Sequence, residues 1–245
     1  MQNNHRLRFT KTGRAKYISH LDLMRTFQRA FLRAEVEIKH TEGFNPHAFV
    51  SIPLPLSVGF SSECEILDFA LMDGQDMASV PERMNRALPE GIIVQSCYTA
   101  LQPVKALSFV HYIITLEYEN GTPFGAETAI RDLLHRESLI MVKKSKKAKT
   151  GQVEVDIIPL IRQFTCEGRR DSITLDAIIR AQNPGLNPEL MVAAIRRDCP
   201  DMAPDFTTFH RKDILNRRAV CLQILEGRLQ NMWFCSRLPA FKGIF

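Results

Sequence analysis

Two short polar stretches near the start of the chain carry side chains that could do chemistry. The first, KYISHLDLMR, has a histidine, an aspartate and an arginine at positions 20, 22 and 25. His20 could act as a general base or acid toward a ribose 2′-hydroxyl, and Arg25 could stabilise the charge that develops on phosphorus. The alternative is structural: Ser19 caps a helix, and Asp22 lies near the positive end of that helix.

The second stretch, GFNPH, is typical of a rigid turn. Gly43 permits a positive φ, and Pro46 restricts Asn45 toward an extended conformation. The turn would display Asn45 and His47 in fixed directions, and an asparagine amide can both donate to and accept from a base edge. His20 and His47 are ligand types that could join a metal site, but no spacing requires one, so no metal is assigned.

Positive charge is unevenly distributed along the chain. The net charge is +5, and residues 1–50 carry nine Lys/Arg against four Asp/Glu, whereas residues 51–100 carry two against seven. Three arginines four residues apart predict a basic ridge on a helix, and five lysines fall within residues 143–149. These charges are typical either of a solvated surface or of phosphate contacts. The candidate substrate-binding residues are Asn45, His47, Lys11, Arg29, Arg33, Lys143, Lys144, Lys146 and Lys147.

The elements that must position these residues follow from hydrophobic periodicity. Strand, helix, strand, strand, helix and strand patterns succeed one another over residues 6–100, including a strand at 35–40, and the same order recurs further on. We therefore predict an α+β fold of two tandem ferredoxin-like halves, with antiparallel sheets and helices on one face. The halves are 1–104 and 105–225, and an apolar tail, 226–245, is left unassigned.

Composition and missing motifs exclude several classes of protein. The six cysteines form no close pair, which argues against a zinc ribbon or an iron–sulfur centre. No apolar run is long enough for a membrane span, and no secretory signal is recognisable, so we expect a cytoplasmic protein with free thiols. No P-loop, Rossmann fingerprint, GxSxG or HExxH is present.

The two polar stretches together resemble a known family. The sequences KTGRAKYISHLDLMRTFQRAF and GFNPHAFVSIPLPLSVGFSSECEILDF are similar to the radical SAM-linked protein family, a bacterial domain of unknown function found beside radical SAM proteins or fused to them. Ala48 stands where that family usually has a second proline. The resemblance implies a radical SAM partner. It also favours a functional role for five residues of the two motifs, namely His20, Asp22, Arg25, Asn45 and His47. This chain lacks CxxxCxxC, so no cofactor is expected in it.

Three functions remain open at this point. The first is a non-catalytic module that binds structured RNA and presents it to a radical SAM enzyme, in RNA modification or processing. The second is a metal-independent endoribonuclease that uses His20. The third is a protein-interaction subunit without nucleic acid, docked through the tail around Trp233 and Phe234. Tandem ferredoxin-like proteins include RNA-processing endoribonucleases and some tRNA pseudouridine synthases, but fold analogy does not carry function.

Overall fold

The computed structural model describes residues 5–42, 44–144 and 151–216, except the side chain of Lys144, and within these ranges the protein is a mixed α+β fold. The α+β prediction is therefore confirmed. The unassigned tail, 226–245, lies outside the described residues. In the part of the chain that the structure describes, no helix is long and apolar enough to cross a membrane.

The first half of the fold has four strands and two helices. In chain order they are β1 (His5–Lys11), α1 (His20–Arg33), β2 (Val50–Ser51), β3 (Ser61–Phe69), α2 (Val80–Ala87) and β4 (Ile92–Thr99). A short 3₁₀ helix, Gly13–Tyr17, connects β1 to α1. Strand β1 lies between β4 and β3 and is antiparallel to both, while the short β2 pairs with the end of β3.

The second half repeats this order with an additional hairpin. Its elements are β5 (Leu107–Glu117), α3 (Ala126–Leu134), β6 (Ile140–Lys144), β7 (Gln152–Asp156), β8 (Ile161–Gly168), β9 (Ser172–Arg180), α4 (Glu189–Asp198) and β10 (Phe206–Asn216). Strands β10, β5, β9 and β8 are neighbours in that order, and all three pairs are antiparallel. Strands β6 and β7 form a separate two-stranded sheet.

The two halves meet in one continuous sheet. Strands β3 and β10 run parallel, and they pair at Ser61 with His210 and at Ser62 with Arg211. The expectation of antiparallel sheets, one for each half, is corrected here, because the described strands outside the hairpin form a single eight-stranded sheet. The physical reason is the length of β2. Its two residues pair only with Asp68 and Phe69 at one end of β3. The Ser61–Ser62 end of the same edge is therefore free to pair with β10.

The helices cover the sheet through two hydrophobic clusters. In the first half, the ring of Phe27 on α1 lies 4.7 Å from that of Phe9 on β1, and Phe31 lies 5.1 Å from Phe69 on β3. In the second half, α3 and α4 bury their apolar stripes with the side chains of β5 and β9. The middle of α1 is thereby packed on β1, and its last turn on the end of β3.

The segment after α1 differs from its prediction. Strand character is predicted over residues 35–40, but the structure shows only isolated bridges, from Ile38 to Leu71 and from His40 to Ala48. Glu35 takes a positive φ of 54°, and the Arg83 guanidinium on α2 donates to the carbonyl oxygens of Ala34 and Glu35. Further along, the Lys39 N–H donates to the Ala70 carbonyl at 2.8 Å and the Glu37 carbonyl accepts from the Met72 N–H at 3.0 Å, so the strand pairing is limited to single bridges.

Candidate functional site

The start of α1 is a capped helix terminus, as the sequence predicts. Ser19 Oγ accepts from the Asp22 backbone N–H at 3.2 Å and donates to Asp22 Oδ2 at 2.7 Å. Arg25 Nη1 donates to Asp22 Oδ1 at 3.2 Å. The hydrogen bond from Ser19, together with that from Arg25, lowers the pKa of Asp22. Asp22 is therefore an ionised, exposed carboxylate whose two oxygens already serve the cap and the arginine.

His20 is the first residue of α1, and its ring is exposed. The ring makes no hydrogen bond to any residue that the structure describes. Asp22 does not orient it, because the Asp22 oxygens are used by Ser19 and Arg25. A general base needs a second group that fixes its ring and its tautomer. His20 is thus available to a ligand, but it lacks the geometry of a catalytic pair here.

Exposed apolar side chains lie close to His20 in the chain and on the adjoining loop. Tyr17, Leu21 and Val58 are 63%, 66% and 57% exposed. The Lys16 ammonium lies 5.1 Å from the Tyr17 ring centroid, and a bond from the Gly59 N–H to the Lys16 carbonyl, 2.8 Å long, brings the proline-rich loop alongside. We call this surface the Tyr17 patch; it comprises Arg14, Lys16, Tyr17, His20, Leu21 and Val58.

Three arginines extend from this patch along α1. Leu21 is followed at four-residue steps by Arg25, Arg29 and Arg33, so all of them lie in one exposed row. Arg29 has no hydrogen bond or ion pair with the described residues, whereas Arg33 Nη2 donates to the Ala87 carbonyl at 2.6 Å. We call Arg25, Arg29 and Arg33 the arginine row. It runs toward the end of β3 that carries Phe69.

The GFNPH stretch forms the tip of a hairpin-like loop. The Thr41 N–H donates to the His47 carbonyl at 2.8 Å, and Thr41 Oγ1 lies 3.0 Å from His47 Nδ1. These bonds hold the base of the turn, and the Phe44 ring beyond it is fully exposed. We call Phe44, Asn45, Pro46 and His47 the Phe44 tip. The Asn45 side chain is exposed, and Gly43 lies outside the described residues.

The two stretches do not share a site. Lys11 pairs with Ser62, and Lys11 Nζ donates to the Ile18 carbonyl at 2.8 Å, which places the start of α1 at the Ser62 end of β3. Val50 pairs with Phe69, which places the Phe44 tip at the opposite end. Seven residues of strand separate these ends, or about 23 Å. His20 and His47 therefore lie toward opposite ends of β3 rather than in one pocket.

Lys11 is not a surface lysine. Its side chain is 1% exposed, and its ammonium donates to the carbonyl oxygens of Lys16 and Ile18. Desolvation lowers the pKa of Lys11, although Glu65 opposes that shift. The prediction that Lys11 contacts phosphate on the surface is corrected for this reason. Within the described ranges, no group of three histidine, cysteine or acidic side chains is placed to hold a metal ion.

The basic hairpin is described only in part. Lys143 and Lys144 belong to β6, where they pair with Val153 and Gln152. Lys146 and Lys147 lie outside the described residues. The interpretation of these lysines as phosphate contacts stays a prediction.

A buried charged group at the junction of the halves escapes the sequence analysis. Arg211 on β10 donates from Nη1 to Glu65 Oε1 on β3 at 2.9 Å, and from Nε to the Tyr112 hydroxyl on β5 at 3.0 Å. One signal is visible in the sequence, because Glu65 interrupts an apolar strand. Its partner is 146 residues away, and no local pattern indicates it.

Comparisons with known proteins give low-identity structural likenesses. The chain is similar to a Cbf5–Nop10–Gar1 complex with TM-score 0.49 and 9% identity, covering 87% of this chain and 49% of that chain. It is similar to an archaeal box H/ACA sRNP Nop10–Cbf5 complex with TM-score 0.38 and 11% identity, covering 86% and 47%. An unknown protein from Galdieria sulphuraria gives TM-score 0.27 and 11% identity, covering 85% and 98%.

The chain thus spans about half the length of the chains it matches in the first two structures. Such likenesses carry no argument about function. No curated protein matches the chain. A family model described as uncharacterized protein conserved in bacteria matches residues 4–188, which is most of the chain. The chain therefore belongs to this bacterial family of uncharacterized proteins, DUF2344.

Proposed function

We propose that this protein is an RNA-binding module that holds RNA on the Tyr17 patch, the arginine row and the Phe44 tip, and presents it to a partner enzyme. The observation that carries the proposal is the Phe44 ring, which is fully exposed at the end of an anchored turn. A large apolar side chain in water gains free energy when a partner covers it. An exposed ring on an anchored turn is suited to a flat partner such as a nucleobase.

Nucleobases stack on exposed aromatic rings, and each stacked base contributes about 1–3 kcal/mol to binding. The Phe44 tip offers such a ring beside the Asn45 amide, which can donate to and accept from a base edge. The Tyr17 patch offers a second ring with the Lys16 ammonium 5.1 Å from its centroid. Both rings thus lie next to polar or charged groups, which is the combination that single-stranded RNA recognition uses.

The arginine row supplies the electrostatic part of the proposal. It spans about 12 Å of α1, from Arg25 to Arg33, and runs from the Tyr17 patch toward the end of β3 where the Phe44 tip lies. Guanidinium groups along such a path can contact successive phosphates of a backbone. Arg29 is the freest of the three, because Arg25 pairs with Asp22 and Arg33 bonds the Ala87 carbonyl.

We propose a radical SAM enzyme as the partner, because the two polar stretches resemble the radical SAM-linked family. We also propose that each half, 1–104 and 105–225, is a ferredoxin-like unit. The supporting observation is the order of the strands across the sheet. It is β4, β1, β3, β2 in the first half and, without the β6–β7 hairpin, β10, β5, β9, β8 in the second. In both halves the fourth strand is therefore followed by the first, the third and the second.

The affinity of the protein for a fluorescein-labelled stem–loop RNA tests the RNA proposal. Phe44→Ala should weaken binding about 5- to 150-fold, the equivalent of about 1–3 kcal/mol for one lost stacking contact. Phe124→Ala is the matched control, because the Phe124 ring is also fully exposed but lies on the loop before α3. The control should leave the affinity unchanged.

Salt dependence gives a second readout of the same interface. Arg29→Ala should reduce the slope of log affinity against log salt by about one unit, because one phosphate contact is lost. Arg170→Ala removes the same charge from an exposed position in the second half and should leave the slope as it is. The proposal is wrong if no salt-sensitive binding is found, or if each variant behaves like its control.

A further inference from the structure

A cleft opens where the two halves meet. It has a volume of about 370 Å³ and lies between the proline-rich loop before β3, strand β5 and the segment that joins β9 to α4. Pockets for small molecules are usually about 300–1,000 Å³. The cleft is therefore large enough for a small organic ligand.

Arg211 forms part of the wall of this cleft, and its side chain is 6% exposed. Its Nε donates to the Tyr112 hydroxyl, and its Nη1 donates to Glu65 Oε1 and to the Leu54 carbonyl at 2.8 Å. Its Nη2 has no hydrogen-bond partner among the residues that the structure describes. A buried guanidinium normally satisfies its donors, so the remaining one is suited to a ligand oxygen.

The charges near Arg211 are unbalanced. Lys11 is buried beside the same network and interacts electrostatically with both Glu65 and Arg211. The group therefore contains two cations and one carboxylate. Although burial disfavours the Arg211 cation, Glu65 and the Tyr112 hydroxyl raise the pKa of Arg211, so it stays charged. An anion bound at the open guanidinium nitrogen would balance the excess positive charge, which is poorly solvated in the interior.

Other lining residues add an acceptor and apolar surface. Gln182 Nε2 donates to the carbonyl oxygens of Val104 and Leu107, both at 2.7 Å, which fixes the amide. Its Oε1 has no partner in the described part of the chain and can accept from a ligand N–H or O–H. Pro53, Phe60 and Val110 supply apolar contacts. The lining thus suits a molecule with one oxyanion and a small apolar or planar body.

We propose that this cleft is a binding site for a small organic oxyanion, whose oxygen accepts a hydrogen bond from Arg211 Nη2. The site goes beyond the RNA interface proposed above, because it uses buried groups at the junction of the halves. The oxyanion could belong to a free metabolite or to a nucleotide of bound RNA. Both share the same chemistry at Arg211, and they are distinguished by competition.

Isothermal titration with orthophosphate, adenosine 5′-monophosphate and benzoate tests the site. Ser57 lines the cleft, and its side chain makes no hydrogen bond to the described residues. Ser57→Glu should weaken binding of the anion that the wild type takes by about tenfold or more, because it places a like charge beside the ligand. Thr128→Glu adds the same charge to an exposed position on α3 and should leave binding unchanged.

Arg211→Gln should abolish binding, with near-ultraviolet circular dichroism as the check on its fold. If that variant does not fold, the comparison of Ser57→Glu with Thr128→Glu still decides the matter. Stem–loop RNA that displaces the bound anion would assign the site to a nucleotide of the RNA, and simultaneous binding would assign it to a free ligand. The proposal is overturned if none of the three anions binds, or if the two glutamate variants bind equally.

Discussion

At the scale of single residues, Asp22 connects the helix cap to the pH dependence of stability. Its pKa is lowered in the folded protein from an ordinary value of 3.8. The contribution of Asp22 to stability is therefore fully present at pH values above its pKa in the unfolded chain. It is lost as the pH falls through its lower pKa in the folded protein. We expect Asp22→Asn to be less stable than the wild type at neutral pH, and this difference to shrink below about pH 4.

Urea unfolding followed by circular dichroism, at neutral pH and at about pH 3, measures this difference. Asp73→Asn is the control, because Asp73 is an exposed loop carboxylate with no hydrogen bond or ion pair to the described residues. Its effect should be small at both pH values. A stability difference for Asp22→Asn that stays constant across this range would show that the cap does not depend on the carboxylate charge.

The cap is predictable from the sequence, because Ser19 and Asp22 are three residues apart and their contact is local. The buried group around Arg211 is not predictable in the same way. Glu65 stands out in an apolar strand, but its partner comes from β10, which is separated from β3 in the chain by the rest of the second half. The burial of Lys11 is not predictable for a different reason: its carbonyl partners, Lys16 and Ile18, are close in the chain, but they belong to a short turn whose path the sequence does not reveal.

At the scale of elements, the loop that carries the Phe44 tip is anchored at its base and free at its end. Ile38 is buried in the hydrophobic cluster of the first half. The Phe44 ring is fully exposed, so its removal breaks no buried apolar contact. We expect Ile38→Ala to lower the free energy of unfolding by about 2–4 kcal/mol. Phe44→Ala should change it by about 0.5 kcal/mol or less. Urea unfolding of both variants provides the measurement, and equal effects would contradict this description of the loop.

The helices and most strands are predictable, because their periodicity is carried by consecutive residues. The segment at 35–40 is the exception. Its alternating pattern indicates a strand, but the Arg83 guanidinium on α2 bonds the carbonyl oxygens at its start, and this contact depends on how α2 packs. Strand β2 has only two residues, because the proline-rich loop leaves the sheet after Ser51.

At the scale of the whole molecule, the sequence places two polar stretches close together in the chain, and the fold separates them. The number of residues between the stretches does not predict this separation, because it depends on which end of β3 each segment pairs with. What connects the stretches is α1, whose arginine row extends from the Tyr17 patch toward the other end of the strand. The two stretches are therefore better explained as two ends of one extended surface than as one pocket.

The most direct test of this account is ultraviolet crosslinking of the protein to stem–loop RNA, with the crosslinked peptides identified by mass spectrometry. The account predicts crosslinks in two separate regions, residues 17–21 and residues 44–47, and their loss in a Tyr17→Ala/Phe44→Ala variant that remains folded. Crosslinks confined to other surfaces, or no crosslinks to RNA at all, would contradict the claim that these exposed rings form an RNA-binding surface.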